Sequence, residues 1–295
     1  MQYYHEIYEH LCENPFASQY QLSTHVPLSR NTCAKYLHEL YDAHMITGPF
    51  LLLKPCKDHP RYLYLMNFSH PVKVFEGLKG FPHVIDHWLT FGAWNTQILT
   101  DCLLDFSQLQ GFEQMIFEEE RGHVSVSHVH SLEWGKAFQR IDEIIASFSP
   151  GIETYHEESV RIDWSPDEWK LFWAFRGNIR EKKNTVLKEI EVRHEVFSQW
   201  KKSLNKACDI AIAFYPEGKQ NYIEHRFLVK SAYRKTLQKI LDCMPVTCFL
   251  EEYGHSLMMH VYSNAPQTSV ELFSLLYEMK AQRIIKEVKY SSVLR

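Results

Sequence analysis

Leu22-Ser23-Thr24-His25-Val26-Pro27-Leu28-Ser29-Arg30-Asn31-Thr32-Cys33-Ala34-Lys35-Tyr36-Leu37-His38-Glu39-Leu40-Tyr41-Asp42-Ala43-His44-Met45-Ile46 is the stretch that decides the fold. After Val26-Pro27-Leu28, the hydroxyl of Ser29 sits where a helix N-cap belongs. From Arg30 to about His44 the residues Cys33, Tyr36, Leu37, Leu40 and Tyr41 recur at i, i+3, i+4 and i+7, so one face of a helix packs. Arg30, Asn31, Ala34, Lys35 and His38 fall on the other face, free to read something. Upstream, Tyr3 to Cys12 has helical spacing and stops at Asn14-Pro15, and Ser18 can cap a short second helix carrying Leu22. Downstream, Phe50 to Leu53, a polar tip from Lys54 to Pro60 and Tyr62 to Leu65 read as a wing and a strand.

The pattern then changes to strand Tyr62 to Phe68, helix Pro71 to Gly80, strand Val84 to Phe91, a turn at Gly92-Ala93, and strand Thr96 to Leu103. A helix from about Phe106 to Glu119 and a strand Val124 to His130 complete it. This β-α-β-β-α-β order is that of a ferredoxin-like module. The same succession recurs after residue 160. Helices are expected at Trp169 to Phe175, around Val186 to Ile190 and over Glu195 to Lys206. Strand Ile210 to Tyr215, a wing tip at Pro216 to Lys219 and strand Arg226 to Val229 follow. The rest reads as helix Tyr233 to Cys243, strands Val246 to Glu251 and Leu257 to Tyr262, helix Val270 to Met279 and strand Lys286 to Tyr290. Leu22 answers Leu187 and Gly92 answers Gly254, an offset of roughly 160 to 165 residues, as in a duplicated unit. The expected class is α+β, with two tandem copies of a winged helix-turn-helix followed by a βαββαβ domain. The boundaries are 1–61 and 62–131, a linker with an amphipathic helix over 132–163, then 164–221 and 222–295.

The quoted stretch resembles the helix-turn-helix of the Lrp/AsnC (feast/famine) transcriptional regulators, which open L-A-x-x-V-G-x-S and run into the wing as L-x-x-x-G-V/I-I. The following segment resembles that family's ligand-sensing (RAM-like) domain, marked by Pro-x-Val and a strand pair joined at Gly-x-x-Asp. Here the matches are Pro82-His83-Val84 with Gly92-Ala93-Trp94-Asn95, and Pro245-Val246 with Gly254-His255-Ser256-Leu257. The resemblance implies a sequence-specific, effector-responsive regulator that binds double-stranded DNA and self-associates through its ferredoxin-like sheets. An effector is expected beside Gly92, Ala93, Trp94 and Asn95, and beside Gly254, His255 and Ser256. Asn95 and Leu257 stand where the family's effector-binding acid does, so free amino acids are expected to bind weakly or not at all.

DNA reading requires short polar and basic side chains at a helix amino terminus, flanked by phosphate contacts. The first copy offers Ser29, Arg30, Asn31, Thr32, Lys35 and His38, with Lys54, Lys57 and Arg61 on its wing. The second offers Arg193, His194, Lys201 and Lys202, with Val192-Arg193-His194 in place of the turn and serine cap. Charge favours the second copy. Over 182–206, Lys182, Lys183, Lys188, Arg193, Lys201, Lys202 and Lys206 outnumber Glu189, Glu191 and Glu195 by four, whereas Arg30 and Lys35 are balanced by Glu39 and Asp42.

The whole chain carries a net charge of −4, so any phosphate contact must come from local patches. Its 295 residues are 45% hydrophobic, no run is apolar enough to span a bilayer, and the amino terminus lacks a signal-peptide layout. A soluble, cytoplasmic protein without membrane contact is expected. Seven cysteines stand singly and read as reduced thiols. Among the 17 histidines, His128 and His130 would share a strand face near His123, but a structural zinc site takes four ligands and no second pair is visible. No metal or cofactor is therefore expected. The acidic run Glu118 to Glu120 reads as a solvated helix end. Nucleophile elbows, phosphate loops and H-E-x-x-H are absent, so no enzymatic activity is expected. Two alternatives stand beside the regulator. One is an enzyme like the siroheme decarboxylases, which resemble Lrp/AsnC proteins and use histidine and arginine near a tetrapyrrole; the nearest candidates for its histidines are His83 and His87. The other is a protein-binding adaptor with degenerate winged helices.

Overall fold

The computed structural model describes residues 1–153 and 159–294. In chain order these form α1 (Gln2–Glu13), α2 (Gln19–His25), α3 (Arg30–Asp42), β1 (Ile46–Leu53), β2 (Tyr62–Phe68), α4 (Pro71–Gly77), β3 (Val84–Gly92), β4 (Thr96–Thr100), β5 (Phe112–Glu120), β6 (Val124–Val126) and α5 (Trp134–Ala146). There follow α6 (Pro166–Phe175), α7 (Lys183–Glu189), α8 (His194–Ala207), β7 (Cys208–Phe214), β8 (Ile223–Lys230), α9 (Arg234–Leu241), β9 (Phe249–Tyr253), β10 (Ser256–Ser263), α10 (Pro266–Ala281) and β11 (Glu287–Leu294). The chain divides into two compact units. Met1–Cys56 and Val160–Asn221 make one, and Lys57–Ser159 and Tyr222–Arg295 the other.

The first unit holds two helix triplets, α1–α3 and α6–α8, and local signals explain their starts. At Ser18 a reciprocal capping box joins the Ser18 and Gln21 side chains to each other's backbone N–H groups, and the Ser29 hydroxyl accepts from Thr32 N–H at 3.2 Å. Ser165 and Glu168 repeat the box before Pro166 on α6. The capless Arg193 opens α8 without a side-chain bond. Leu171, Phe172, Phe175, Leu187, Phe197, Trp200 and Leu204 of the second triplet share a core with Leu51 and Leu53 of β1.

The expected wings do not form as hairpins. Instead of turning back onto Tyr62 to Leu65, β1 pairs antiparallel with β7, setting Phe50 opposite Ala211 and Leu53 opposite Cys208. The run Phe50-Leu51-Leu52-Leu53 is too apolar for a wing with a wet face, and it buries Leu51 and Leu53 against α6–α8. The eight residues from Lys54 to Arg61 contain Pro55 and Pro60, unlike the tight two-residue turns that favour hairpins.

In the second unit the strands run β5-β2-β4-β3-β11-β8-β10-β9-β6 in one nine-stranded sheet. Numbered within each half, β2 to β5 and β8 to β11 both take the order 4-1-3-2, and the halves join where Leu294 pairs with Leu89 and Ser291 with Gly92. Period-two alternation on β2 supplies both faces. Leu63 and Leu65 pack with Trp94, Leu228, Tyr253 and Met258, whereas Tyr64, Met66 and Phe68 pack with Leu78, Ile98 and Phe106.

The helix expected from Phe106 to Glu119 is instead a loop followed by β5. Gly111, at φ +82°, turns the chain in a left-handed conformation that interrupts a helix there, and a Cβ on it would lie 2.7 Å from the Ser69 hydroxyl. β5 is an edge strand, so Glu118 to Glu120 guard a sheet edge rather than end a helix. β6 stops at Val126 and pairs with β9, leaving His128 and His130 beyond the strand. The amphipathic segment before Ser149 forms α5, which packs against α9 and α10.

Burial has a titratable consequence here. His225, 3% exposed between Tyr290 and Ser263, has its pKa pushed down to about 4 because burial disfavours the cation, although Glu224 pulls the other way. A folded pKa below the unfolded value means stability is complete above about pH 6.5 and declines as pH falls toward 4, by roughly 3 kcal/mol at the limit. Urea unfolding at pH 7.5 and 4.5 should show this loss, and His225→Gln should shrink it. An equal pH dependence in both proteins would assign the loss to other groups.

Candidate nucleic-acid interface

On α3 the buried side is Cys33, Leu37 and Leu40. Arg30, Asn31, Lys35 and His38 are exposed, as the spacing predicts. Two of these are engaged on their own helix: Lys35 Nζ lies 3.7 Å from Glu39 and His38 Nδ1 lies 2.6 Å from Asp42. The Ser29 hydroxyl is committed to the cap and lies 2.9 Å from Thr32 Oγ1. Arg30 and Asn31, by contrast, have no side-chain hydrogen bond or ion pair among the described residues. They stand at the amino end, where backbone N–H groups and the helix dipole favour an anion.

The second triplet is more basic. Lys182, Lys188, Arg193, Lys202 and Lys206 are exposed on or beside α7 and α8 and form no ion pair among the described residues. His194 is exposed at the first position of α8. Lys201 differs from its neighbour. Its Nζ sits 3.8 Å above the Phe16 ring, and burial, with Lys183 adding repulsion, pulls its pKa down. Lys201 is itself exposed, but its ammonium is engaged by an aromatic face. Lys54, expected on a wing tip, donates to the Asn205 carbonyl at 2.8 Å and approaches Asp209 at 3.5 Å, clasping the end of α8. Lys57 and Arg61 belong to the other unit, where the Arg61 carbonyl accepts from Arg121 N–H at 2.7 Å. Thus α3, α8 and Lys54 belong to one unit, and the remaining wing cations do not. Lys182, Lys188 and Lys206 join the candidate set, and the local charge excess was the signal for them.

At the first Gly turn the space is filled by the chain itself. A Cβ on Gly92, at φ +147°, would lie 2.4 Å from the Tyr290 carbonyl. Ala93 N–H donates to that carbonyl at 2.8 Å, and Trp94, fully buried, donates its N–H to the Ser291 hydroxyl at 3.0 Å. Asn95 locks β2 to the turn by accepting from Phe68 N–H at 3.0 Å and donating to the Phe68 carbonyl at 2.8 Å. At the second turn a Cβ on Gly254 would lie 3.4 Å from the Glu119 carboxylate, His255 is exposed and Ser256 is buried in β10 pairing. His87 lies 3.0 Å from the Phe75 carbonyl of α4 through its Nε2. The His128 and His130 rings lie 4.5 Å apart. An open pocket of about 250 Å³ lies elsewhere in this unit, between α4 and the 103–110 loop; His70, Lys73, Val74, Leu78, Phe81 and Leu109 line it.

No protein-family model matches the chain, and no curated protein matches it. Among solved structures, the siroheme decarboxylase NirDL is similar over 99% of this chain and 91% of that one, with 8% identity and a TM-score of 0.49. E. coli AsnC is similar over 41% of this chain and 90% of that chain, with 14% identity and a TM-score of 0.35. A transcriptional regulator from Neisseria meningitidis in complex with L-Met matches 45% of this chain and 96% of its own, with 17% identity and a TM-score of 0.35. Likenesses this low do not bear on function. Among the described residues no helix is long and apolar enough to cross a membrane.

Proposed function

We propose that the chain is a DNA-binding regulator of Lrp/AsnC type, built from two tandem helix-turn-helix and α+β modules, in which α7 and α8 hold phosphates and the amino end of α3 reads bases. One observation carries this: over residues 182–206 seven cations outnumber three acids by four on a chain whose total charge is −4, and Lys182, Lys188, Arg193, Lys202 and Lys206 are exposed without an ion pair among the described residues. A net-acidic protein has no general affinity for polyanions, so a local surplus on helix-turn-helix elements favours a dedicated surface. The recurring order of three helices and a strand, and the 4-1-3-2 order in each half of the sheet, support the duplication.

Fluorescence anisotropy with fragments of its own promoter region tests the reading. Lys202→Ala should weaken binding on cognate and scrambled DNA alike and reduce the salt slope by about one unit. Lys201→Ala should change the slope far less, because its ammonium lies over Phe16. Arg30→Ala should instead cost about 1–3 kcal/mol on cognate DNA and relax one position. Binding unaltered by all three would remove DNA reading from these helices.

One observation favours a second reading, an enzyme acting on a tetrapyrrole: an imidazole and an ammonium, His70 and Lys73, line the pocket of α4 together with Val74, Leu78 and Phe81. Titration with an iron tetrapyrrole would support it by a Soret shift that His70→Ala removes. Absence of any shift would discard it.

A further inference from the structure

His83, Asp101 and Cys102 stand together at one end of the β3–β4 pair. Val84 is opposite Thr100 in the antiparallel register, so His83 and Asp101 face each other one step beyond, and Asp101 N–H donates to the His83 carbonyl at 3.1 Å. His83 Nδ1 lies 2.8 Å from Asp101 Oδ1. Burial, then the Asp101 charge, pushes the pKa of the neighbouring Cys102 thiol up. Thr100 Oγ1 donates to the Cys102 carbonyl at 2.6 Å, fixing that backbone. His83 itself is held at φ +64°, a left-handed conformation that costs a side-chain-bearing residue energy and recurs where a side chain must be aimed.

One ligand atom from each residue lies within 4.8 Å of the other two. Metal bonds of about 2.0–2.3 Å in a tetrahedral site set ligand atoms roughly 3.3–3.8 Å apart, so shifts of about an ångström suffice. Imidazole, carboxylate and thiolate are the three ligand types zinc prefers. We infer that His83, Asp101 and Cys102 form a zinc-class divalent metal site with its fourth position open to water. On binding, the Cys102 thiol gives its proton to water, the neutral His83 ring supplies a nitrogen lone pair, and thiolate and carboxylate together balance the two positive charges of the ion. Side-chain exposures of 57% for His83 and 46% for Asp101 leave an entry path.

Cobalt titration of the full-length chain under reducing conditions, followed by absorption, tests this. A near-ultraviolet thiolate-to-cobalt charge-transfer band with visible d–d bands should saturate at one equivalent, and zinc should bleach both. Cys102→Ser should abolish the charge-transfer band, while His83→Ala and Asp101→Asn should each weaken cobalt binding by at least about tenfold. Circular dichroism on each variant checks that it remains folded. No charge-transfer band, or one that survives Cys102→Ser because another cysteine supplies the sulfur, would overturn the assignment. So would cobalt affinity unchanged in folded His83→Ala and Asp101→Asn.

Discussion

Alanine at Lys182, Lys188, Arg193 and Lys202 together is expected to remove measurable DNA binding while leaving the helical circular dichroism signal intact. Each phosphate neutralised by a cation releases about 0.9 of a counterion, so losing four contacts should flatten the salt slope by roughly three to four units. Near physiological salt that amounts to about two orders of magnitude or more in affinity, on cognate and scrambled DNA equally. The fold should tolerate the change because all four side chains are exposed and none is paired with an acid among the described residues. Lys183 is left in place because its Nζ lies 5.6 Å from the Phe197 ring, on the edge of the core, and Lys201 because it covers Phe16. Anisotropy titrations at several salt concentrations decide the matter. Unaltered affinity in a folded quadruple variant would end the phosphate-contact role of α7 and α8 and bring the adaptor or enzyme readings forward.

What could be read in the sequence was local. Ser18 and Ser29 name helix starts because a cap is satisfied by residues two or three positions away, and the stripes Cys33-Leu37-Leu40 and Phe197-Trp200-Leu204 are periodic within one helix; Ser165, which caps α6 in the same way, stands ahead of the start expected at Trp169. The paired cores of β2 follow from strict alternation. What could not be read depends on distant partners. β1 turns away from β2 because β7, more than 150 residues later, offers a strand to pair with. β5 is a strand because β2 is beside it; by spacing alone, Phe106, Leu109, Phe112 and Phe117 pass for a helical face, and only Gly111 argues against one. The candidate site divides in the same way. Exposure of Arg30, Asn31 and Lys202 follows from helical phase, whereas the engagement of Lys201 by Phe16 and of Lys54 by the end of α8 is set by packing that no window of sequence contains.

Gly92→Ala is expected to be among the most destabilising single substitutions in the chain, which assigns this glycine to structure rather than to a ligand. At φ +147° the backbone already occupies a region that side-chain-bearing residues avoid, and the new methyl would sit 2.4 Å from the Tyr290 carbonyl oxygen and 2.7 Å from Ser291 Cα. Both obstacles are backbone, so neither can rotate away. Relief requires β11 to move off β3, and that junction carries the Ala93 N–H bond to Tyr290 and the mutual bonds of Trp94 with the Ser291 hydroxyl at 2.9 and 3.0 Å. Trp94, wholly buried, would lose its position against Leu63, Leu65, Leu228 and Met258. Backbone strain and overpacking, at about 1–3 kcal/mol each, add to roughly 2–6 kcal/mol. Gly254→Ala makes the comparison sharp. Its φ is +55°, and the added carbon would meet only the end of the flexible Glu119 side chain at 3.4 Å, so a cost near 1 kcal/mol is expected. Urea denaturation of the two variants beside the unaltered chain supplies the numbers. Equal midpoints for Gly92→Ala and Gly254→Ala would show that the β3–β11 junction is not tight, and would return the bare turn at Gly92 to consideration as the place where an effector approaches the backbone.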